Sequence, residues 1–283
     1  MIGALRGVRW RRVDAEDLHE VVRRLSTWPA EVGGGVRHQF PLASIEAHGP
    51  DIVRVAEQDD LWAAAIVLPG KVVVPCGDGR VIGAAGPASR RWRLLVGDAG
   101  AGEPMLEPFL GDAGIRVHVQ RFLTAEAERI PAEADVPDPG LRLAQRADIA
   151  ALAELAAQLH VDDEFGPDPG RPGRRGYATR LESSVDRGLI WCVGPIGDPI
   201  VKVEQSVRSG RWGVQLAGIV VNRSHRGSGL GTAAVAEAVR RTLADDPQQP
   251  VSLHVRAANT PALHAYARAG FVDREEWRLA VRP

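Results

Sequence analysis

The feature that most constrains this chain is an apolar strand that runs into a glycine-rich turn and then into an alanine-rich helix, at residues 219–232. Gly227, Gly229 and Gly231 stand at alternate positions of the turn. Without a Cβ, these residues reach backbone conformations in which successive N–H groups converge on one anion. The start of the following helix adds the positive end of its dipole. The segment therefore predicts a cradle for a diphosphate group.

Two common phosphate-binding motifs do not fit this turn. A Walker loop requires Gly-x-x-x-x-Gly-Lys-Ser/Thr, but the chain has lysine only at Lys71 and Lys202. A dinucleotide fingerprint requires Gly-x-Gly-x-x-Gly, and Thr232 stands where its third glycine belongs. These spacings argue against ATP and against a dinucleotide as the ligand.

The remaining spacing, Arg226-x-x-Gly229-x-Gly231, resembles the acyl-CoA pyrophosphate loop of the GNAT superfamily of N-acyltransferases. Downstream, Asn259, Tyr266 and the pair Gly270-Phe271 resemble the second half of the same core. The resemblance implies that acetyl-CoA is held by the strand before the turn, by the turn and by two residues beyond it. These predicted cofactor-binding residues are Ile219, Val220, Val221, Arg226, Gly227, Ser228, Gly229, Leu230, Gly231, Thr232, Asn259 and Tyr266.

Hydrophobic periodicity predicts an α/β fold with a mixed sheet. After residue 140 the predicted order is β-α-α-β-β-β-α-β-α-β, which resembles the GNAT fold over about half of the chain. The resemblance to the GNAT family implies that the strand before the cradle splays away from its neighbour, and Gly218 in that strand would permit such a bulge. Residues 166–176 are rich in glycine and proline and are predicted to be irregular.

A proline-rich acidic connector at residues 130–140 divides the chain in this interpretation. We expect an N-terminal domain at 1–129 and a catalytic GNAT acetyltransferase domain at 141–283. A predicted strand at 93–96, a helix at 103–110, Gly114 and a strand at 115–122 repeat the order of residues 251–281, which suggests a degenerate GNAT-like copy at the N-terminus. Its turn lacks the cradle spacing, so we expect it not to hold acyl-CoA. Actinobacterial two-part acetyltransferases with a non-catalytic N-terminal half are similar.

Amine acylation by a thioester needs a proton donor for the leaving sulfur and a proton acceptor for the amine. The resemblance places Tyr266 as the general acid, and an unperturbed tyrosine stays protonated at neutral pH. The alternative for Tyr266 is packing at the edge of the core. Glu204 is the candidate base, because burial in a cleft would raise its pKa. Its alternative is a surface ion pair with Lys202, which shares its face of the strand.

Other candidates concern the acceptor and the cofactor. Asp162, Asp163 and Glu164 lie where relatives form the acceptor wall, and they are predicted to bind a cationic amine or to relay its proton. A solvated acidic loop is the alternative. For Asn259, the alternative to a contact with the cofactor is a place in the loop before the next helix.

Composition sets the remaining limits. The 283 residues carry a formal net charge of −1 at pH 7, which gives no global field for nucleic acid or an anionic membrane. Cys76 and Cys192 stand apart from any metal-binding cluster, so no metal site is predicted. No signal peptide or long apolar run is present, and we expect a cytoplasmic protein, as a monomer or homodimer. Arginine largely replaces lysine, which is typical of a GC-rich bacterium.

The sequence therefore predicts an acetyl-CoA-dependent N-acetyltransferase that transfers an acyl group directly to a primary amine of a small molecule or a peptide. The same fold hosts proteins that bind acyl-CoA without transferring it. A non-catalytic acyl-CoA sensor or interaction module is the main alternative, and a GNAT-like O-acyltransferase or decarboxylase is a third.

Overall fold

The computed structural model describes residues 7–27 and 34–282, which divide into two compact units. The first unit contains the described residues up to Phe122, Arg256–Ala258 and the residues from Arg274 onward. The second unit contains Leu123–Val255 and Asn259–Asp273. The units change at Phe122, before the connector at 130–140, and the limits of the predicted domains stay a prediction.

In the residues that the structure describes, the N-terminal half contains six strands and four α-helices. In chain order they are β1 (Arg11–Arg12), α1 (Ala15–Ser26), α2 (Gln39–His48), β2 (Val53–Gln58), β3 (Leu61–Val67), β4 (Val72–Gly77), α3 (Gly79–Ala85), β5 (Leu94–Asp98), α4 (Ala99–Leu106) and β6 (Arg116–Ala125).

The C-terminal half contains the elements that surround the predicted cradle. They are β7 (Arg142–Leu143), α5 (Ile149–Asp162), α6 (Gly170–Asp186), β8 (Ile190–Val193), β9 (Val201–Ser209), β10 (Gly213–Val221), α7 (Leu230–Asp245), β11 (Val251–Arg256), α8 (Thr260–Arg268) and β12 (Phe271–Val281).

Both halves have the order β-α-α-β-β-β-α-β-α-β, which confirms the order predicted after residue 140. The strand directions repeat as well. The first four strands of each half pair antiparallel in sequence. The fourth and fifth strands then pair in parallel, as β4 with β5 and β10 with β11. The N-terminal half is therefore a topological copy of the C-terminal half.

Each unit includes part of a strand from the other half of the sequence. In the first unit, β12 pairs antiparallel with β5, and Trp277 lies opposite Asp98. Ala280 joins the apolar core of that unit beside Leu95. In the second unit, Leu123 from the end of β6 belongs to the core that contains Val251 and Leu253. Each unit is thus completed by a strand from the distant half of the sequence.

Two apolar clusters support the sheet of the second unit. One contains Val203 and Leu216 together with Val235 and Val239 of α7. The other contains Leu152 of α5, Leu181 of α6 and Val220. Successive residues of β8 alternate between the two clusters, so the clusters lie on opposite faces of the sheet.

The prediction of an irregular segment at 166–176 is wrong, because α6 begins at Gly170 inside it. Pro172 falls in the first turn of the helix, where a missing N–H breaks no intrahelical hydrogen bond. Arg174 then pairs with Glu154 of α5 and with Asp168.

The helix predicted at 103–110 is displaced toward the N-terminus and covers Ala99–Leu106. The Asp98 side chain accepts a hydrogen bond from the Ala101 N–H at 3.1 Å and so starts the helix earlier. In the part of the chain that the structure describes, no helix is long and apolar enough to cross a membrane.

Candidate functional site

A β-bulge in β10 prepares the strand that leads into the cradle. Ala217 pairs with Glu204 and Val220 pairs with Lys202, so β10 carries one residue more than β9 between these pairs. Gly218 has φ +54°, a left-handed value that suits glycine. The bulge predicted at Gly218 is confirmed.

The extra residue reverses the alternation of side chains along β10. Beyond the bulge, Ile219 and Val221 pack against the cluster that contains α7, as Leu216 does before it. Val220 joins the cluster of α5 and α6. An unbroken strand would have placed Val220 on the face of Leu216, so the bulge decides which side chains face the site.

The turn after β10 has the conformation that its glycines predict. Gly227 has φ +79° and Gly229 has φ +84°. Gly229 is the N-cap of α7, with no side chain capping the helix. A Cβ on Gly227 or Gly229 would meet no atom within 4 Å, so the space above the turn is open. The first N–H groups of an α-helix have no partner within the helix, and here they are available to an anion.

Arg226 lies beside this turn and is held by a carboxylate of α5. Its Nη2 is 2.5 Å from Asp162 Oδ2, and Arg223 Nη2 is 2.5 Å from Asp162 Oδ1. Burial raises the pKa of Asp162, but the hydrogen bonds from the two arginines outweigh burial and lower it. Asp162, which we predicted to bind the acceptor, pairs with two arginines at the predicted diphosphate cradle, and its role in acceptor binding stays a prediction.

A cavity of about 500 Å³ opens between this turn, the end of α5 and helix α8. Thirteen of the predicted site residues line it: Asp162, Asp163, Ile219, Val220, Val221, Arg226, Gly227, Gly229, Leu230, Gly231, Thr232, Asn259 and Tyr266. Ser228, Glu164 and Glu204 are not part of this lining. The Ser228 hydroxyl donates to the His225 carbonyl at 2.7 Å and so stabilises the turn.

Tyr266 reaches the cavity from α8. Its side chain is nearly buried, with 8% exposure, and packs near Phe271 with ring centroids 6.2 Å apart. Burial, and then the negative charge of Asp163, raise the pKa of Tyr266 above its ordinary value. The phenol therefore stays protonated at neutral pH, as the acid role requires, and it also packs at the edge of the core, as the alternative had it.

Asn259 lies before α8, as its alternative predicts, and its contact with the cofactor stays a prediction. Its side chain accepts a hydrogen bond from the Ala262 N–H at 3.2 Å and caps α8. It also lines the cavity. Because it caps the helix that carries Tyr266, it fixes the start of that helix at the cavity wall.

The pKa expected for Glu204 is wrong. Burial alone would raise the pKa of Glu204, but the charge of Lys202 and its hydrogen bond outweigh burial and lower it. Lys202 Nζ lies 2.7 Å from Glu204 Oε2. The ion pair is buried, and not at the surface, because the Lys202 side chain is only 2% exposed. An ionised carboxylate held this way is a weak base, and the role of Glu204 as proton acceptor stays a prediction.

Several lining residues were missed in the sequence. These are Pro261, Ala262, His264, Ala265 and Arg268, all on α8. Residues three and four positions apart share a face of a helix, so Pro261, His264, Ala265 and Arg268 could have been found from their spacing on the helix of Tyr266.

Comparison with known proteins agrees with this geometry. Residues 191–271 match the family model described as acetyltransferase (GNAT) family. Residues 191–271 form a GNAT domain. The match spans β8 to the start of β12, including the bulge, the cradle and Tyr266. No curated protein matches the chain.

Solved structures extend the fold to the whole chain. A GNAT-family acetyltransferase from Colwellia psychrerythraea has 11% identity and a TM-score of 0.59, covering 97% of this chain and 100% of its own. A GCN5-related N-acetyltransferase from Sphaerobacter thermophilus has 15% identity and a TM-score of 0.60, covering 98% and 96%. A tandem GNAT protein from the clavulanic acid biosynthesis pathway has 16% identity and a TM-score of 0.52, covering 96% and 97%. At these identities the likeness shows the fold alone.

In the first unit, the place that corresponds to the cavity of the GNAT domain is closely packed. A Cβ on Gly79, at the start of α3, would lie 2.2 Å from the Gly100 carbonyl oxygen of α4. A Cβ on Gly97 of β5 would lie 2.9 Å from Pro75 Cγ of β4. Glycine at these positions lets the two helices and the two strands approach closely. This packing supports the expectation that the first half holds no acyl-CoA, which stays a prediction.

Proposed function

We propose that the chain is an acetyl-CoA-dependent N-acetyltransferase that transfers an acyl group directly to a primary amine of a small molecule or a peptide. One observation carries the proposal. The open left-handed turn at the start of α7 and the protonated Tyr266 line the same cavity. The cytoplasmic location and the oligomeric state stay predictions.

The residues present fit the diphosphate of coenzyme A. A Cβ would reduce the open space over Gly227 and Gly229, and this space adjoins the start of α7, where no side chain caps the helix. Arg226 adds a positive charge beside this space. We assign the pantetheine arm to the β10 segment beyond the bulge, Ile219 to Val221, because these residues line the cavity next to the turn.

Bound acetyl-CoA supplies an activated acyl thioester. The protein contributes the positions of two proton-carrying groups. Tyr266 holds a proton at neutral pH and donates it from its Oη to the leaving sulfur. Asp163 lines the same cavity, and its negative charge raises the pKa of Tyr266. We assign Asp163 the role of binding the ammonium group of the acceptor. The acceptor ammonium must lose one proton before it attacks; Asp163 accepts that proton and passes it to solvent, and Tyr266 supplies the proton that the leaving sulfur takes up.

The test is release of free CoA from acetyl-CoA with a panel of amines: small amines, amino acids, aminoglycosides and peptide N-termini. We expect at least one class to release CoA faster than the control without acceptor. If acetyl-CoA raises the melting temperature but no acceptor is acylated, the result favours a non-catalytic acyl-CoA sensor over an enzyme. Acylation of hydroxyl acceptors alone would favour the O-acyltransferase.

Tyr266→Phe is expected to lower kcat by about 10²–10⁴-fold, the usual contribution of a general acid. The affinity for acetyl-CoA should not change, because the ring and its packing remain. The measurement is steady-state kinetics together with calorimetric binding of CoA.

The matched control is Tyr177→Phe, since the chain has only two tyrosines. Tyr177 lies on α6 and is not part of the cavity lining. We expect its variant to retain kcat within about twofold of the wild type, a change too small for loss of a general acid. A Tyr266→Phe variant with wild-type kcat would remove this tyrosine from the mechanism.

Asp162→Asn is expected to lower the Kd for CoA by about two- to fivefold, the range of exposed ion pairs. The diphosphate must draw Arg226 away from Asp162, and the substitution removes that competitor. The measurement is calorimetric titration at low and high salt, and the gain should shrink at high salt.

Asp168→Asn is the control for this charge change, because Asp168 pairs with Arg174 and does not line the cavity. It should leave the Kd for CoA unchanged. Equal or weaker CoA binding by Asp162→Asn would contradict a competing role for Asp162.

A further inference from the structure

A buried ammonium group occupies the bulge of β10. Lys202 on β9 is 2% exposed, and its Nζ donates to the Gly218 carbonyl oxygen at 3.1 Å and to Glu204 Oε2 at 2.7 Å. A buried charge is costly unless it is paired and hydrogen-bonded. Both requirements are met here by one carboxylate and one backbone carbonyl.

The bulge explains why this carbonyl needs a side-chain donor. Between the pairs Ala217–Glu204 and Val220–Lys202, the extra residue interrupts the regular ladder of hydrogen bonds between β9 and β10. A buried carbonyl without a donor costs free energy. Lys202, which lies on β9 opposite the bulge, supplies this donor.

Lysine and glycine at these two positions fit each other closely. A Cβ on Gly218 would lie 2.5 Å from Lys202 Nζ and 3.2 Å from Glu204 Oε2. The positive φ of Gly218 also disfavours any residue with a side chain. The ammonium therefore fills the space that the missing side chain leaves.

Glu204 anchors the ammonium to the neighbouring helix. Besides Lys202, a hydrogen bond from Ser184 and the charge of Arg180 help to keep its pKa low. Both residues belong to α6. The bulge is thus connected through Lys202 and Glu204 to a helix packed on the same face of the sheet.

We propose that Lys202 is a positioning residue that clamps the β10 bulge at Gly218 and so aims residues 219–221 at coenzyme A. The proposal rests on the proposed function for the identity of the ligand. Lys202 is not itself part of the cavity lining, and it acts through the Gly218 carbonyl and the reversed alternation beyond it. The part of the ligand that residues 219–221 would bind is the pantetheine chain. Its amides form hydrogen bonds with the backbone groups of an extended strand.

The main experiment compares Lys202→Met with Lys71→Met in calorimetric titration with CoA. These are the only two lysines, and Lys71 is exposed in the first unit. We expect Lys202→Met to raise the Kd for CoA at least tenfold and Lys71→Met to leave it unchanged. A Lys202→Met variant that binds CoA within twofold of the wild type overturns the proposal.

A second variant covers the case in which the unpaired Glu204 destabilises Lys202→Met. The double variant Lys202→Met with Glu204→Leu removes both charges, so it should recover melting temperature but not CoA affinity. Recovery of both would show that only the buried charge mattered, and the clamp would be rejected.

Two readouts separate this proposal from the proposed function. In the full-length wild type labelled with 13Cε-lysine, CoA should shift the Lys202 signal and leave the Lys71 signal in place. If the wild type does not bind CoA, the proposed function fails, and hydrogen exchange then tests the clamp alone. Faster exchange at residues 217–221 in Lys202→Met supports the clamp, and unchanged exchange overturns it.

Discussion

Gly229→Trp is expected to abolish the rise in melting temperature that CoA produces. Gly229 lines the cavity at the start of α7, and an indole there would occupy the open space over the turn. At a ligand concentration of 100 Kd, binding stabilises a protein by about 2.7 kcal/mol. A hundredfold loss of affinity reduces this to about 0.4 kcal/mol. The measurement is a thermal melt with and without CoA.

The substitution also carries a conformational cost that needs a control. Gly229 has φ +84°, and a residue with a Cβ loses about 1–2 kcal/mol in this region. Gly140→Trp matches it, because Gly140 has φ +80°, open space around its Cβ position and a place in the same unit. The control should melt at a similarly lowered temperature but keep the full CoA response. A Gly229→Trp variant that still responds to CoA would refute the cradle.

Trp277→Ala is expected to lower the free energy of unfolding by about 3–5 kcal/mol, the range for truncating a buried aromatic side chain. Trp277 is 2% exposed and lies 5.9 Å from the Phe122 ring, centroid to centroid. Its Nε1 donates to Glu275 at 3.0 Å. The measurement is urea unfolding, with hydrogen exchange in β5 as a local probe, because Trp277 pairs with Asp98 at the end of that strand.

Trp212→Ala is the control for loss of an indole. Trp212 is only partly buried at the turn between β9 and β10, where Arg211 stacks over its ring at 4.3 Å. We expect Trp212→Ala to lower the free energy of unfolding by about 1 kcal/mol or less. Equal costs for the two variants, or unchanged exchange in β5 of Trp277→Ala, would mean that β12 does not complete the core of the first unit.

The first unit offers a reason why the last strand matters. Buried Arg37 is 2.8 Å from Glu275 of β12 and 3.1 Å from Asp98 of β5. Burial raises the pKa of both carboxyls, and the charge of Arg37 opposes that rise. The ion pairs therefore hold a residue near the N-terminus to the end of the chain, and no local pattern of the sequence predicts such a contact.

The candidate site shows where prediction from sequence succeeds. The cradle depends on backbone conformations that glycine permits and on the start of the next helix, both of which are set within about ten residues. Tyr266 and Asn259 stand seven residues apart in the sequence, two turns of one helix, so their common wall follows from helical geometry. The bulge was predicted as well, from the family resemblance together with Gly218.

The sequence did not predict contacts between residues that lie far apart in the chain. Asp162 pairs with Arg226 of the cradle, and Ser184 of α6 donates a hydrogen bond to Glu204. The sign of a pKa shift is a balance between burial and neighbouring charges. Burial of Glu204 could be anticipated from its strand, whereas the strength of its pairing with Lys202 could not.

By itself, the sequence determined the order of strands and helices, the glycine turn and the helix that carries Tyr266, because each is fixed by interactions between residues close in the chain. Only the tertiary structure decided which carboxylates face the cavity, why Lys202 is buried under a bulge, and which unit β12 completes. These outcomes depend on contacts between residues tens to hundreds of positions apart, where the gain from burial and pairing, and not local preference, selects the arrangement.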